Sequence, residues 1–396
     1  MQPTGARSNA WLSILDRRRV IVCAGPGGVG KTTTAAALAV LGARLGRNVA
    51  ALTVDPSRRL ADSLGIQDPG AEARELDPSV WRDPGATAPS GRLSVMMMDT
   101  KRTFDELVER HASSPEVRDR ILANRLYQHV SSHLAGAHEY MAMEKLLSVS
   151  RNSAYDLIVL DTPPTRDALD FLSAPERLVG ALDSSVLGWL GQILQPGQGF
   201  TLGLLARGVS RVLGTMGRIT GRELLEQLAA FIVDLNDLFG GFRERATAVA
   251  QAFRGPEFGF LTVSSPRPAA LSESLRLARQ ITLEGMSLDG FIVNRMPQPV
   301  GDASLAQIAA ALVAQLPDWD AARSPELVHK IADVAARQTS RSERSRQRLG
   351  DLKAELEALG LETPPPLLLV PELPADVQAM AALHLLATTL AGPPSA

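Results

Sequence analysis

The stretch that decides the fold is VIVCAGPGGVGKTTTAAALAV, Val20 to Val40. An apolar, β-branched run ends in a glycine-rich segment, and that segment passes without a break into an alanine-rich stretch of high helical propensity. Within this strand–loop–helix context, Gly25-x4-Gly30-Lys31-Thr32 satisfies the phosphate-binding loop pattern. Glycines let backbone N–H groups turn inward around a phosphate, and the helix start adds its partial positive charge. The spacing assigns Gly25, Pro26, Gly27, Gly28, Val29, Gly30, Lys31, Thr32 and Thr33 to the walls of a site for nucleotide phosphates and Mg2+. Lys31 is expected to bridge the β- and γ-phosphates and the Thr32 hydroxyl to ligate the metal. Pro26 is the anomaly, because a proline has no N–H to give a phosphate.

Composition limits what the loop can belong to. The chain has 396 residues, 45% of them hydrophobic and 21% charged, with a formal net charge of −2. That describes a globular protein with a large core and gives no electrostatic basis for binding nucleic acid. Cys23 is the single cysteine, so neither a disulfide framework nor a thiolate metal cluster can form within one chain. Arg17, Arg18 and Arg19 precede an apolar run as in a signal peptide, but VIVCA is too short and leads straight into the glycine loop. The expected location is the cytoplasm, with peripheral attachment to a membrane left open.

Seven apolar runs alternate with helical patterns: 20–24, 48–55, 93–99, 155–161, 258–265, 288–294 and 367–371. They are near-continuous, not alternating, which predicts a mostly parallel sheet covered on both faces, an α/β doubly wound fold. The expected nucleotide core spans about 17–100, 151–175, 256–301 and 362–396. An inserted helical sub-domain is expected over about 101–150 and 176–255, and peripheral helices over about 302–361, where RQTSRSERSRQRLGDLKAELEALG reads as an exposed helix.

A phosphate loop needs acidic residues at neighbouring strand ends, where they point into the ligand crevice. Asp55 ends NVAALTVD and Asp161 ends YDLIVLD. Asp161 is expected to hold the metal through its water shell. Asp55 is expected to orient the water that attacks the γ-phosphate and to belong to the metal site with Thr32 and Asp161. Helix capping is the alternative for either residue.

At this point the residues resemble a known family. GPGGVGKTTTAAALAV, VDPSRRLADSLG, DTPPTRDALDFL, HLAGAHEYMAMEKL, FIVNRM and VPELPADV follow the order in which ArsA-type ATPases carry their phosphate loop, two switches, helical-domain motif, adenine-contacting Asn and adenine loop. That family includes the arsenite-pump ATPase and the ATPases that deliver tail-anchored membrane proteins. The resemblance implies an ATP-dependent dimer whose helical parts open and close with hydrolysis around a hydrophobic client or membrane-associated partner. It makes Asp55 the water-activating residue, Asp161 the switch acid and Lys31 a catalytic cation. Asn294 and Arg295 would form the adenine edge, and Pro371, Leu373 and Pro374 the adenine loop, while Glu139 matches the acid of the helical-domain motif.

Two departures qualify it. The thiol site of arsenite pumps and the CxxC zinc clasp of targeting ATPases need cysteines that this chain lacks, which disfavours metalloid efflux. Pro26 stands where the family places a Lys that reaches across the dimer. The expectation is therefore a heterodimer with a paralogous subunit in preference to a homodimer, with Arg58, Arg59 or Arg166 as alternative sources of the charge. A positioning or signalling switch of the MinD or ParA type is the competing class. The C-terminal DVQAMAALHLLATTL lacks the basic residues a membrane-targeting helix of that kind needs.

Other signals read as ordinary structure. His129 and His133 share a helix face and could ligate zinc, but without an HExxH they and His138 read as a solvated helix face near an interface, while Met96, Met97 and Met98 fall in a predicted core strand and read as packing. The apolar segment 178–220 either buries its stripe within the sub-domain or lines a groove for a client helix.

Overall fold

A computed structural model describes residues 5–54, 59–66, 72–82, 91–124, 127–128, 137–163, 244–300, 304–315, 325–373 and 380–391. Among these residues, eight strands form one sheet in the order β3-β4-β2-β5-β1-β6-β7-β8. They are β1 (Val20–Ala24), β2 (Asn48–Thr53), β3 (Arg74–Glu75), β4 (Arg92–Met97), β5 (Leu157–Asp161), β6 (Phe258–Ser264), β7 (Leu288–Met296) and β8 (Leu367–Pro371). Every pairing is parallel except β3 with β4. This is the doubly wound α/β architecture that the continuous apolar runs predict. β1 and β5 are buried at all five positions. Two-sided burial removes the reason for polar alternation.

The two faces carry separate cores. Ile21 and Cys23 of β1 face α1 (Gly5–Arg17), α2 (Lys31–Arg44) and the C-terminal helix Met380–Ala391. Val20, Val22 and Ala24 face α5 (Thr100–His111), α6 (Pro115–Ala123), α7 (Ala137–Ser150), the helix over 244–253 and α8 (Pro268–Leu283). Met96 and Met98 are buried in this second core, as a packing role requires. Helix starts follow local chemistry: the Asp99 side chain caps α5 by accepting from Arg102 N, and Ser114 caps α6 by accepting from Val117 N. Phe253 stacks on Phe258 with ring centroids 4.8 Å apart, fastening the 244–253 helix to the sheet.

Two helices follow β7: α9 (Leu305–Gln315) and the 33-residue α10 (Pro325–Glu357). The expectation of an exposed helix here is corrected for one face. Ser342, Ser345, Leu349, Leu352 and Leu356 are buried, because small and apolar residues recur at three- and four-residue spacing and form a stripe against the core. No helix among the described residues is long and apolar enough to cross a membrane. The segment 178–220, with the rest of 164–243, lies outside the described residues.

Candidate functional site

Strand β1 delivers the glycine loop to the carboxyl edge of the sheet, and α2 begins immediately after it. Gly30 is the N-cap of α2, in the left-handed region with φ 95°, and supplies no side-chain cap. The first turn of bonding closes with Thr34 N on Gly30 O at 2.9 Å, so the amides of the preceding turn point out along the axis. Those amides and the helix dipole make an anion site. The cradle needs glycine sterically as well. A Cβ on Gly25 would collide with the Val263 carbonyl oxygen, and one on Gly30 with the Asn294 amide nitrogen. Gly27 and Gly28 are exposed, while Pro26 and Val29 are buried.

Lys31 is only 7% exposed, and its Nζ donates to Pro26 O at 3.0 Å. The loop thus curls around its own cation, and Pro26 contributes an acceptor where it has no donor to give. Thr32 and Thr33 lie half-buried on the first turn of α2.

Asp161 ends β5 beside β1, with Cys23 as its register partner on one side and Thr53 on the other. It is 1% exposed, and Oδ2 accepts a long hydrogen bond of 3.4 Å from Thr53 Oγ1. Thr162 Oγ1 donates to Cys23 O at 2.9 Å and locks the strand end against β1. Burial pushes the Cys23 thiol far above its ordinary range; the Asp161 carboxylate adds to the shift and the Lys31 cation opposes it. Asp161 pairs in register with Cys23 of β1, and Lys31 opens the helix that follows the loop leaving the same strand, so both lie at the carboxyl edge of the sheet. Thr53 and Thr162 are site residues that sequence reasoning missed; their position beside the strand-end acid was the available signal.

Asn294, near the end of β7, is turned inward. Its Nδ2 donates to Val29 O at 2.9 Å, and its Oδ1 accepts from Arg295 N at 2.8 Å. Arg295 is exposed and is the only described residue other than glycine with positive φ, 58°. A non-glycine residue held there costs on the order of 1–2 kcal/mol and clusters at functional sites. Pro371 and Leu373 are half-buried at the end of β8, and the intervening Glu372 N extends the ladder to Met296 O at 2.9 Å. Asp55, Arg58, Arg166, Pro374, His129 and His133 lie outside the described residues, as do the side chains of His138 and Glu139. Arg59 is exposed at the start of α3 (Arg59–Ser63).

The described residues fit a nucleoside triphosphate with its metal: an uncapped helix start, a cradle that a Cβ would fill, a buried cation, and a buried acid at the end of the strand next to β1. Against this geometry, residues 18–307 match the family described as anion-transporting ATPase, ArsA_ATPase. The chain belongs to this family. Curated relatives point the same way. ATPase get3 of Aspergillus terreus is 27% identical over 330 residues, which is 79% of this chain and 86% of the relative. ATPase get3 of Neurospora crassa is 29% identical over 73% of this chain and 78% of its own length, and ATPase GET3 of Chaetomium globosum 29% over 73% and 77%. The protein is an ATP-binding, ATP-hydrolysing enzyme with the family's P-loop fold.

Proposed function

We propose that this ATPase is Mg2+-dependent, works as a cytoplasmic dimer, and uses nucleotide-driven opening and closing to handle a hydrophobic client or membrane-associated partner. The observation that carries the chemical part is the union of the uncapped α2 start, buried Lys31 and buried Asp161 at one strand edge. Lys31 binds phosphate and moves off Pro26 O to do so. Thr32, Asp55 and Asp161 would hold the metal, which when bound would neutralise phosphate charge. Asp55 orients the attacking water, and the backbone amides of 27–32 fix the phosphate chain. Asn294, Arg295, Pro371, Leu373 and Pro374 form the base side. The client part draws support from the relationship to ATPase get3 proteins and from the apolar composition of 178–220. A paralogous partner subunit, expected from Pro26, gains no support from the comparisons, and the proposed dimer is left as a pairing of unspecified composition.

The test is a pair of variants. Asp55→Asn should keep Mg-ATP binding within a few-fold and lower turnover by at least ~10²-fold, the size of losing a positioning or base group. Lys31→Ala should impair binding and turnover together. Wild-type hydrolysis by Asp55→Asn would remove its assigned role. Purification of Asp55→Asn with ATP, followed by mass spectrometry, should recover single-span membrane proteins; recovery of none would remove the client reading.

A further inference from the structure

One helix holds the chain that leaves three successive strands. From α10, the Arg348 guanidinium donates to Pro266 O after β6 at 3.3 Å. Gln338 Nε2 donates to Gln298 O at 3.4 Å and Thr339 Oγ1 to Val300 O at 2.9 Å, both after β7. Arg341 donates through both Nη1 and Nη2 to the two carboxylate oxygens of Glu372, after β8, at 2.8 and 3.2 Å. Positions 338, 341, 345 and 348 recur at three- and four-residue spacing and so share one side of the helix. The C-terminal half of α10 is anchored by buried Leu349, Leu352 and Leu356, so the middle of the helix is a fixed beam across the carboxyl edge of β6, β7 and β8.

Glu372 lies between Pro371 and Leu373, on the loop read above as the base side, and the inference rests on that reading. Its amide is already fixed to Met296 O, and among the described residues its carboxylate is held by Arg341 alone. We infer that Arg341 is a positioning residue for nucleotide binding: its two-pronged bond to Glu372 sets the loop after β8 against α10 and so pre-orders the base side of the site. The two side chains are 48% and 36% exposed, so solvent screens the pair and its value to global stability is small. Its value is geometric, since a forked guanidinium–carboxylate pair fixes direction as well as distance. Without it, a nucleotide must order the loop as it binds, at a cost in affinity.

The test uses the full chain with Arg341→Ala, Arg341→Glu, Glu372→Arg and the exchanged pair Arg341→Glu/Glu372→Arg. The single variants should melt within a few degrees of the unmodified protein. They should raise KM for Mg-ATP and speed release of N-methylanthraniloyl-ADP by about two- to five-fold, the upper part of the range for an exposed but well-oriented pair. Turnover should stay within two-fold and affinity for Mg-tripolyphosphate, which has no base, should not change. The exchanged pair should regain most of the lost affinity, which a general loosening of the fold would not produce. Unchanged ADP release, an equal loss for tripolyphosphate, or no recovery in the exchanged pair would each overturn the inference. If the unmodified chain binds ATP in a Lys31-dependent way while the Arg341 variants match it, only this inference falls. If the unmodified chain binds no ATP, the functional reading falls with it.

Discussion

Removing the Asn294 amide tests how the phosphate loop keeps its shape. Asn294 is 9% exposed, and its Nδ2 reaches the Val29 carbonyl across 265 residues of sequence at 2.9 Å. Val29 is itself buried and lies directly before Gly30 and Lys31. Asn294→Ala strips a buried carbonyl of that donor, which costs about 1–3 kcal/mol. Because the orphaned group belongs to the loop, the penalty falls on the conformation that cradles phosphate. Affinity should drop by roughly 5- to 150-fold, the equilibrium factor for that energy, and the drop should not depend on the base.

The assay is competition against a fluorescent nucleotide with Mg-ATP, Mg-GTP and Mg-tripolyphosphate, at a temperature where a melt shows the variant folded. All three should weaken by a similar factor. An Asn amide keeps a second N–H and a second lone pair. A base contact can therefore coexist with the brace, and would appear as an extra loss for ATP alone. A double-mutant cycle with Gly30→Ala sharpens the test. That Cβ would strike the Asn294 amide and also strain a backbone at φ 95°. With Ala at 294 the collision disappears and the strain persists, so the two substitutions should be coupled. Undiminished tripolyphosphate binding by Asn294→Ala, or strict additivity in the cycle, would refute the brace.

Four further outcomes follow from the packing. Cys23, buried with its thiol pKa pushed far up, should resist thiol reagents at pH 8 in the native protein and label at the rate of unfolding; rapid native labelling would contradict the description of β1. Asp289→Ala leaves the largely buried Arg18 without its partner, whose Oδ2 lies 2.6 Å from Arg18 Nε, and should cost about 3 kcal/mol in denaturant unfolding. Phe253→Ala should cost about 3–5 kcal/mol by emptying a site stacked on Phe258. The His111 pKa is lowered from 6.5, first by desolvation and then by the Arg245 cation. The folded chain therefore binds fewer protons there than the unfolded chain, so a small stability contribution is complete above pH 6.5 and is lost as the pH falls through the lowered value. His111→Gln should flatten that part of the stability profile.

Of the eight strands among the described residues, six were legible because burial leaves near-continuous apolar runs, and β8 was legible from its apolar run LLLVP although only Val370 in it is buried. β3 was not: Arg74 and Glu75 are two exposed charged residues, placed only by antiparallel pairing with β4. The first helix was equally silent, since Trp11, Ile14 and Leu15 declare themselves only once the sheet is present to bury them. At the site, the loop, Lys31 and Asp161 could be read because each is tied to a local strand–turn–helix pattern. The Asn294–Val29 bond and the grip of α10 on Glu372 could not, because pairing between distant segments leaves no periodic trace in either one.

Pro26 is where sequence and structure together say more than either alone. A proline cannot donate to phosphate, yet its carbonyl holds the Lys31 head at 3.0 Å, and its ring is buried. A lysine at this position would have to bring a second cation beside Lys31 or swing its chain out of a buried place, and either move disturbs the cradle. Pro26→Lys should therefore weaken Mg-ATP binding and raise turnover by less than ~10-fold, far short of the ~10³ to 10⁵ that a charge reaching the transition state can supply. Arg59, exposed at the first residue of α3 and four residues after Asp55 in sequence, is then the described cation that the sequence names for that charge. Arg59→Ala should lower turnover by at least ~10²-fold with KM little changed, the pattern of an interaction made only in the transition state. A hundredfold acceleration by Pro26→Lys would show that the loop lacks only its missing charge, and indifference to Arg59→Ala would show that the charge comes from elsewhere.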